Sequence, residues 1–316
     1  MSKFTKRFSR LKSEDDTGFS STASGRFLNS NGVPNVKRSG LNPLEKYSWY
    51  HTMLGLKSWE FILFLILGYI AINIMFAIIY YLIGIEHLTG IDKSSWKNEF
   101  TDIFFFSSQT FTTVGYGRIA PVGFLASLVS TFEAFLGLLS FAIATGLFYG
   151  RFSRPRAFLK FSKNALISPY KEGSALMLRM APYKNNLLTD AEVILTVAIS
   201  NRENPEAATS FFNIPAELPK INSLALNWTV VHKIDEKSPF FENIQDLLAT
   251  TDIEVFVQVR AFDEGFANTV VQRTSYTNDE IVCGAKFLPM FHSSENRRTT
   301  VLDLDKINDF EKVNLP

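Results

Sequence analysis

A chain of 316 residues with 32 basic and 31 acidic side chains carries a formal charge of +1. That balance argues against bulk nucleic-acid binding, which needs a basic face or stripe. Cys283 is the lone cysteine and excludes an intrachain disulfide, while His51, His87, His232 and His292 lack the mutual spacing of metal ligands.

Residues 1–40 are rich in Ser, Gly, Lys and Arg and hold no apolar core of signal-peptide length. They are expected to form a disordered cytoplasmic arm. Asn42-Pro43 then suits a helix start, and Leu44, Tyr47, Tyr50, Met53 and Leu54 fall mostly on one helical face. With Trp49 and Trp59 suited to a lipid–water boundary, this predicts an interfacial helix over 41–57 on the inner membrane surface. A soluble connector is the other reading of so short a stripe.

The first apolar run, residues 61–85, has no charged side chain. At the helical rise its length is about 37 Å, more than a hydrocarbon core of roughly 30 Å, which predicts an outer membrane helix over 59–85. A second run, residues 122–149, is as long but contains Glu133, Thr145 and several glycines. It suits an inner helix over 121–151 that faces lipid on one side and protein and water on the other. Lys37, Arg38, Lys46 and Lys57 precede the first run; Arg151, Arg154, Arg156, Lys160 and Lys163 follow the second; only Lys93, Lys97 and Arg118 lie between. The excess of basic residues on the outer flanks places both termini in the cytoplasm.

Between the runs, residues 99–111 are apolar and aromatic but too short to span. Glu99 and Asp102 sit early, where a helix favours negative charge, so a pore helix is expected over 98–111 with its partially negative end aimed at the bilayer centre. A cation suits that end. The next residues, Thr112, Thr113, Val114, Gly115, Tyr116 and Gly117, closely resemble the selectivity filter of potassium channels. Carbonyl oxygens replace the water shell of K⁺ there, and Gly115 and Gly117 supply dihedrals that a Cβ resists. The likeness puts K⁺ at Thr113, Val114, Gly115 and Tyr116, with Val114 and Tyr116 wedging outward against the pore helix. One chain supplies one loop, so a ring implies a closed homotetramer, with a pore domain over 58–151.

From about residue 43 to 291 the chain resembles an inward rectifier potassium channel of the bacterial type. The likeness rests on TVGYG, TGLFYGRFSRPRA at 145–157, FSKNALI at 161–167, LNWTVVHKIDEKSPFF at 226–241 and RTSYTNDEIVCGAKFLPMF at 273–291. It implies a membrane α domain followed by a linker (152–164), an immunoglobulin-like cytoplasmic β-sandwich (165–292) and a C-terminal tail (293–316). Independently, residues 191–200 and 253–262 are rich in β-branched residues, and Ile253, Val255, Val257 and Val259 alternate with Glu254, Gln258 and Arg260.

The resemblance also assigns roles. Tyr149 matches a bulky gating side chain, although lipid or helix packing is the other reading, and Gly137 and Gly146 are candidate bending points of the inner helix. Arg154 and Arg156 match positions that contact phosphoinositide head groups, with Lys57, Arg151 and Lys160 as further anionic-lipid contacts. Simple positive-inside topology would account for part of that cluster.

Two departures stand out. Gln109 occupies a place where many members carry a filter-supporting glutamate, which puts an ion pair with Arg118 in doubt. Phe141 stands where strong rectifiers have an acid facing the cavity near Thr145, so Mg²⁺ or polyamine block is expected to be weak, with Ba²⁺ a further pore blocker. The eukaryotic pair of extracellular cysteines is absent, which favours a prokaryotic source and an inner (plasma) membrane location. The implied function is passive K⁺ permeation, with no cofactor beyond the permeant ions and no nucleic-acid partner. A less selective cation channel and a membrane-anchored β-sandwich binding module with a vestigial pore are the competing readings. An enzyme lacks support: no nucleophile–base pattern or phosphate-binding glycine motif is found.

Overall fold

Hydrophobic length organises the first half of the chain. The computed structural model describes residues 25–37, 39–40, 48–153, 155–202, 209–241 and 243–316, with residue 51 described in its backbone only. Residues 39–154 form one unit; residues 155–316 form a second, together with the described N-terminal residues.

In the first unit, helix α1 (Trp49–Gly55) precedes α2 (Ser58–Ile83). Strand β1 (Leu88–Thr89), helix α3 (Trp96–Phe111), strand β2 (Ala120–Pro121) and helix α4 (Phe124–Phe152) follow. At about 1.5 Å per residue, α2 and α4 are each long enough to cross a bilayer. Ile62, Leu63, Ile66, Leu67 and Ile70 of α2 are exposed at helical spacing, a stripe that suits lipid. Its other flank is buried: Phe76, Ala77 and Tyr80 pack with Ile103 and Phe106 of α3. The pore helix begins two residues before the expected position because Ser95 is the N-cap, its Oγ accepting from the Asn98 N–H at 3.4 Å. Strands β1 and β2 pair antiparallel and tie together the connections on either side of α3. Residues 41–47 of the expected interfacial helix lie outside the described residues; the described part is α1 alone.

The second unit is a sandwich of two five-stranded sheets. In chain order its strands are β3 (Leu159–Phe161), β4 (Ala165–Tyr170), β5 (Gly173–Pro182), β6 (Leu188–Asn201), β7 (Ser210–Ile214), β8 (Lys220–Leu224) and β9 (Trp228–Ile234). After helix α5 (Ile244–Thr250) come β10 (Thr251–Asp263), β11 (Asn268–Thr277) and β12 (Ile281–Cys283). One sheet runs β11-β10-β6-β7 with β8 also on β6; the other runs β12-β4-β5-β3 with β9 also on β5. Val255 and Val257 of β10 lie opposite Val197 and Leu195 of β6, and this inner face meets Ile167, Leu176 and Leu178 from the other sheet. Alternation of burial along β10 follows from the pleat, which sends successive side chains to opposite faces.

Three boundaries differ from the sequence expectation. Part of the expected linker is already sheet, since β3 pairs with β5. The expected C-terminal tail is structured: β13 (Ala285–Phe287) pairs with β16 (Phe310–Lys312), and β14 (Phe291–Ser293) with β15 (Thr300–Leu302). Ile307 is fully buried against Ala181 and Met290, so apolar burial holds this segment down. Part of the expected disordered arm also docks. The N–H groups of Phe27 and Leu28 donate to the Glu254 carboxylate at 2.6 and 2.9 Å, and Arg26 pairs with Glu280 at 3.0 Å. Glu254 is therefore buried although it lies on the polar side of its strand. The rest of the arm, residues 1–24, lies outside the described residues.

His232 of β9 is buried, with Nδ1 2.7 Å from the Pro215 carbonyl and Nε2 2.8 Å from the Ser238 hydroxyl. A carbonyl only accepts, so Nδ1 carries a proton. Burial pushes its pKa below the ordinary value of 6.5. The unfolded state then binds more protons in acid, so the His232 contribution is intact above pH 6.5 and is lost as pH falls from there towards the lower folded value. Hydrogen-exchange protection of residues 228–238 is expected to fall on acidification, by at most about tenfold per pH unit, and His232→Gln is expected to flatten that slope.

Candidate functional site

A helix that stops inside a membrane must hand its last carbonyls to something. Here the chain folds back on the end of α3. Thr112 N–H donates to the Ser108 carbonyl, Thr113 N–H to Thr110, and both Val114 and Gly115 N–H to Gln109 at 2.9 and 3.2 Å. The first residues of the expected filter are thus clamped to the last turn of the pore helix by main-chain bonds and by the Thr112 hydroxyl, which donates to the Ser108 carbonyl at 2.8 Å.

Beyond that clamp the backbone alternates. Thr113, Gly115 and Gly117 have φ of +58°, +50° and +81°, while Val114 and Tyr116 between them stay out of the left-handed region. In an ordinary strand successive carbonyls face opposite ways; alternation in the sign of φ is what lets consecutive carbonyls share one side. Glycine meets this demand without steric cost, whereas at Thr113 the left-handed conformation costs of order 1–3 kcal/mol. The motif flagged the glycines but gave no sign of strain at Thr113. Val114 and Tyr116, expected to wedge outward against the pore helix, are 53% and 80% exposed within the single chain. All six residues, 112–117, are exposed.

Arg118 has its partner, and it is not Gln109. Its guanidinium lies 2.5 Å from the Asp102 carboxylate, which also accepts from the Asp92 N–H at 3.0 Å. The loop before α3 is laced to the first turns of that helix, with Asp92 accepting from the Ser94 N–H and donating its own N–H to Asp102. The bond from Ser94 holds the Asp92 carboxyl below its ordinary pKa. Among the described residues the Gln109 side chain makes no hydrogen bond.

On α4, Phe141 and Tyr149 are 74% and 75% exposed, and the Thr145 hydroxyl donates to the Phe141 carbonyl one turn back at 2.8 Å. The helix runs unbroken through both expected bending points. Gly146 has open space around it, whereas a Cβ on Gly137 would overlap the Phe111 carbonyl at the end of the pore helix. Gly137 is thus a close-approach glycine that lets α4 touch α3. Sequence reasoning noted Glu133 but gave it no role; it is fully buried with its carboxyl group against Ser107 of α3 and Tyr80 of α2. The available signal was its charge within an apolar span.

The basic residues differ in availability. Lys57 is exposed and 3.9 Å from Glu60. Arg151 donates to the carbonyls of Met53 and Leu56 at 3.2 and 2.5 Å and sits over the Phe61 ring, so it fastens the end of α1 to the end of α4. In the second unit Arg156 is exposed, and Lys160 donates to the Leu304 carbonyl at 3.0 Å. Arg154 lies outside the described residues.

Comparison with known proteins bears on both units. Residues 159–316 match the model of the inward rectifier potassium channel C-terminal domain, and residues 65–154 match an ion channel model. The chain is 34% identical to the inward rectifier potassium channel Kirbac3.1 of Paramagnetospirillum magnetotacticum, over 90% of this chain and 95% of that protein. It is 27% identical to the human G protein-activated inward rectifier potassium channel 4, over 92% of this chain and 74% of that one.

The two inner-helix glycines generate a contrast. Gly137→Ala forces α3 and α4 apart and is expected to cost roughly 1–3 kcal/mol of stability, as overpacking does. Gly146→Ala meets open space and is expected to be neutral or mildly stabilising, since alanine favours helix by about 0.5–1 kcal/mol. Thermal unfolding of the purified protein in detergent distinguishes the two.

Proposed function

Because the chain belongs to the inward rectifier potassium channel family, we propose that it assembles as a homotetramer whose residues 112–117 conduct K⁺. The observation that carries this is the alternating backbone of Thr113, Val114, Gly115, Tyr116 and Gly117, clamped to the end of the pore helix. Four such loops around one axis would present rings of carbonyl oxygens at Thr113, Val114, Gly115 and Tyr116 in place of hydration water. The partially negative C-terminal end of α3 adds to the field that favours a cation.

Assembly from several copies is supported by what a single chain leaves open. Val114, Tyr116, Phe141 and Tyr149 are exposed together with a recess of about 830 Å³ beside Phe111 and Thr113, between α2 and α4. A polar loop at membrane depth is tolerated only when covered by protein or lining water, and neighbouring copies would supply both.

Tyr149, near the cytoplasmic end of α4, is the proposed gate. Four exposed tyrosines would form a constriction able to exclude water and ions. Phe141 gives the cavity no acid, so rectification by Mg²⁺ or polyamines is weak in this reading. Lys57, Arg154 and Arg156 are the proposed contacts for anionic or phosphoinositide head groups, each charge contributing about 1 kcal/mol near an anionic surface. Arg151 and Lys160 spend hydrogen bonds on backbone carbonyls, and in this reading they shape the segment more than they bind lipid. Both termini are cytoplasmic, in the plasma membrane of a prokaryote.

Two experiments test this. Purified protein in liposomes is expected to take up Rb⁺ against a K⁺ gradient, with block by Ba²⁺ and exclusion of Na⁺. Gly115→Ala is expected to abolish that uptake, and uptake of Na⁺ equal to that of Rb⁺ would instead mark a non-selective cation pore. Separately, Tyr149→Ala is expected to raise single-channel open probability in planar bilayers; an unchanged value removes Tyr149 as the gate.

A further inference from the structure

Glu133 is a carboxyl group in the membrane-spanning half of the chain, and it is completely buried. Such a group is costly in that setting unless every lone pair and proton is satisfied, so it persists where it does something. One of its oxygens lies 2.5 Å from the Ser107 hydroxyl of α3, and the other accepts from the Tyr80 hydroxyl of α2 at 2.7 Å. Ser107 is also 3.2 Å from the backbone and side-chain oxygens of Asn73, whose amide donates to the Tyr69 carbonyl on the same helix. Three helices therefore meet at one carboxyl group.

The spacing along the two helices is the telling part. Glu133 touches Ser107, and one turn further along α4 Gly137 touches the carbonyl of Phe111, which is one turn further along α3. Residues four apart share a helical face, so α4 grips α3 at two points in register. The second point is the residue immediately before the filter. The first is two residues before Gln109, whose carbonyl holds the Val114 and Gly115 N–H groups.

We propose that Glu133 is a positioning residue for selectivity. From the inner helix it supplies the buried carboxyl that fixes the pore helix, and thereby the filter, in a chain whose pore helix carries Gln109 and no glutamate at that place. The inference rests on the permeation reading above. A hydrogen bond from Ser107 to a rigid α4 sets the depth and rotation of α3 more narrowly than apolar contacts, which tolerate sliding. The filter begins five residues after Ser107, so an error in helix rotation is carried directly into the first carbonyl ring.

The test uses the full-length protein in liposomes and planar bilayers, with wild type measured alongside Glu133→Gln, Ser107→Ala and the double variant. Losing a buried bond of this kind is expected to raise the Na⁺-to-K⁺ permeability ratio and the half-blocking Ba²⁺ concentration each by about tenfold, ~1.4 kcal/mol. The double variant is expected to be no worse than either single one. Variants that assemble and conduct with wild-type selectivity and Ba²⁺ block overturn the inference, as do effects that simply multiply in the double variant. Should Glu133→Gln fail to assemble, Ser107→Ala and Tyr80→Phe each remove one bond and are read against the same two outcomes. Wild-type protein that takes up no Rb⁺ would instead sink the permeation reading itself.

Discussion

Hydrocarbon cannot hydrogen-bond a peptide group, and the first half of this chain is arranged around that constraint. Two helices satisfy their own backbones across bilayer length. Between them residues 112–117 leave the helix while still connected to α3, and their N–H and C=O groups need other partners. The last turn of α3 takes the first N–H groups. In the proposed reading, the carbonyls that remain are what a desolvated cation requires, and one unmet need would answer the other. Everything around the loop, from the Ser95 cap to the contact of Gly137 with Phe111, holds α3 where this exchange is possible.

The pore helix is supported on several sides by different chemistry. Apolar packing of Ile103 and Phe106 against α2 gives it burial without direction. Direction comes from polar contacts: Ser107 with Glu133, the hydroxyl pair of Ser108 and Tyr69, and Arg118 closing onto Asp102 from the loop that follows the filter. The last of these crosses from one side of the filter to the other, which makes the loop a closed hairpin pinned at both ends. A charge-assisted bond suits that duty, being shorter and more directional than a neutral one.

In the second unit, the sandwich is extended at both ends of the sequence. Arg26, Phe27 and Leu28 dock through Glu254 and Glu280, and Ile307 anchors the C-terminal strands. Residues 26–28 are therefore tethered to the sandwich.

Period and length made much of this legible in the sequence. Long apolar runs gave two spans, alternation in residues 253–260 gave a half-buried strand, and TTVGYG with its glycines gave a loop with unusual dihedrals. Such features are local, and local chemistry is written in consecutive residues. What only the tertiary structure decided was pairing at a distance. The partner of Arg118 is Asp102, the reason for Gly137 is Phe111, and the reason for Glu133 is a serine and a tyrosine on two other helices. A buried polar contact depends on which surfaces meet and at what rotation, and that follows from packing the whole unit, since no single residue carries the address of its partner.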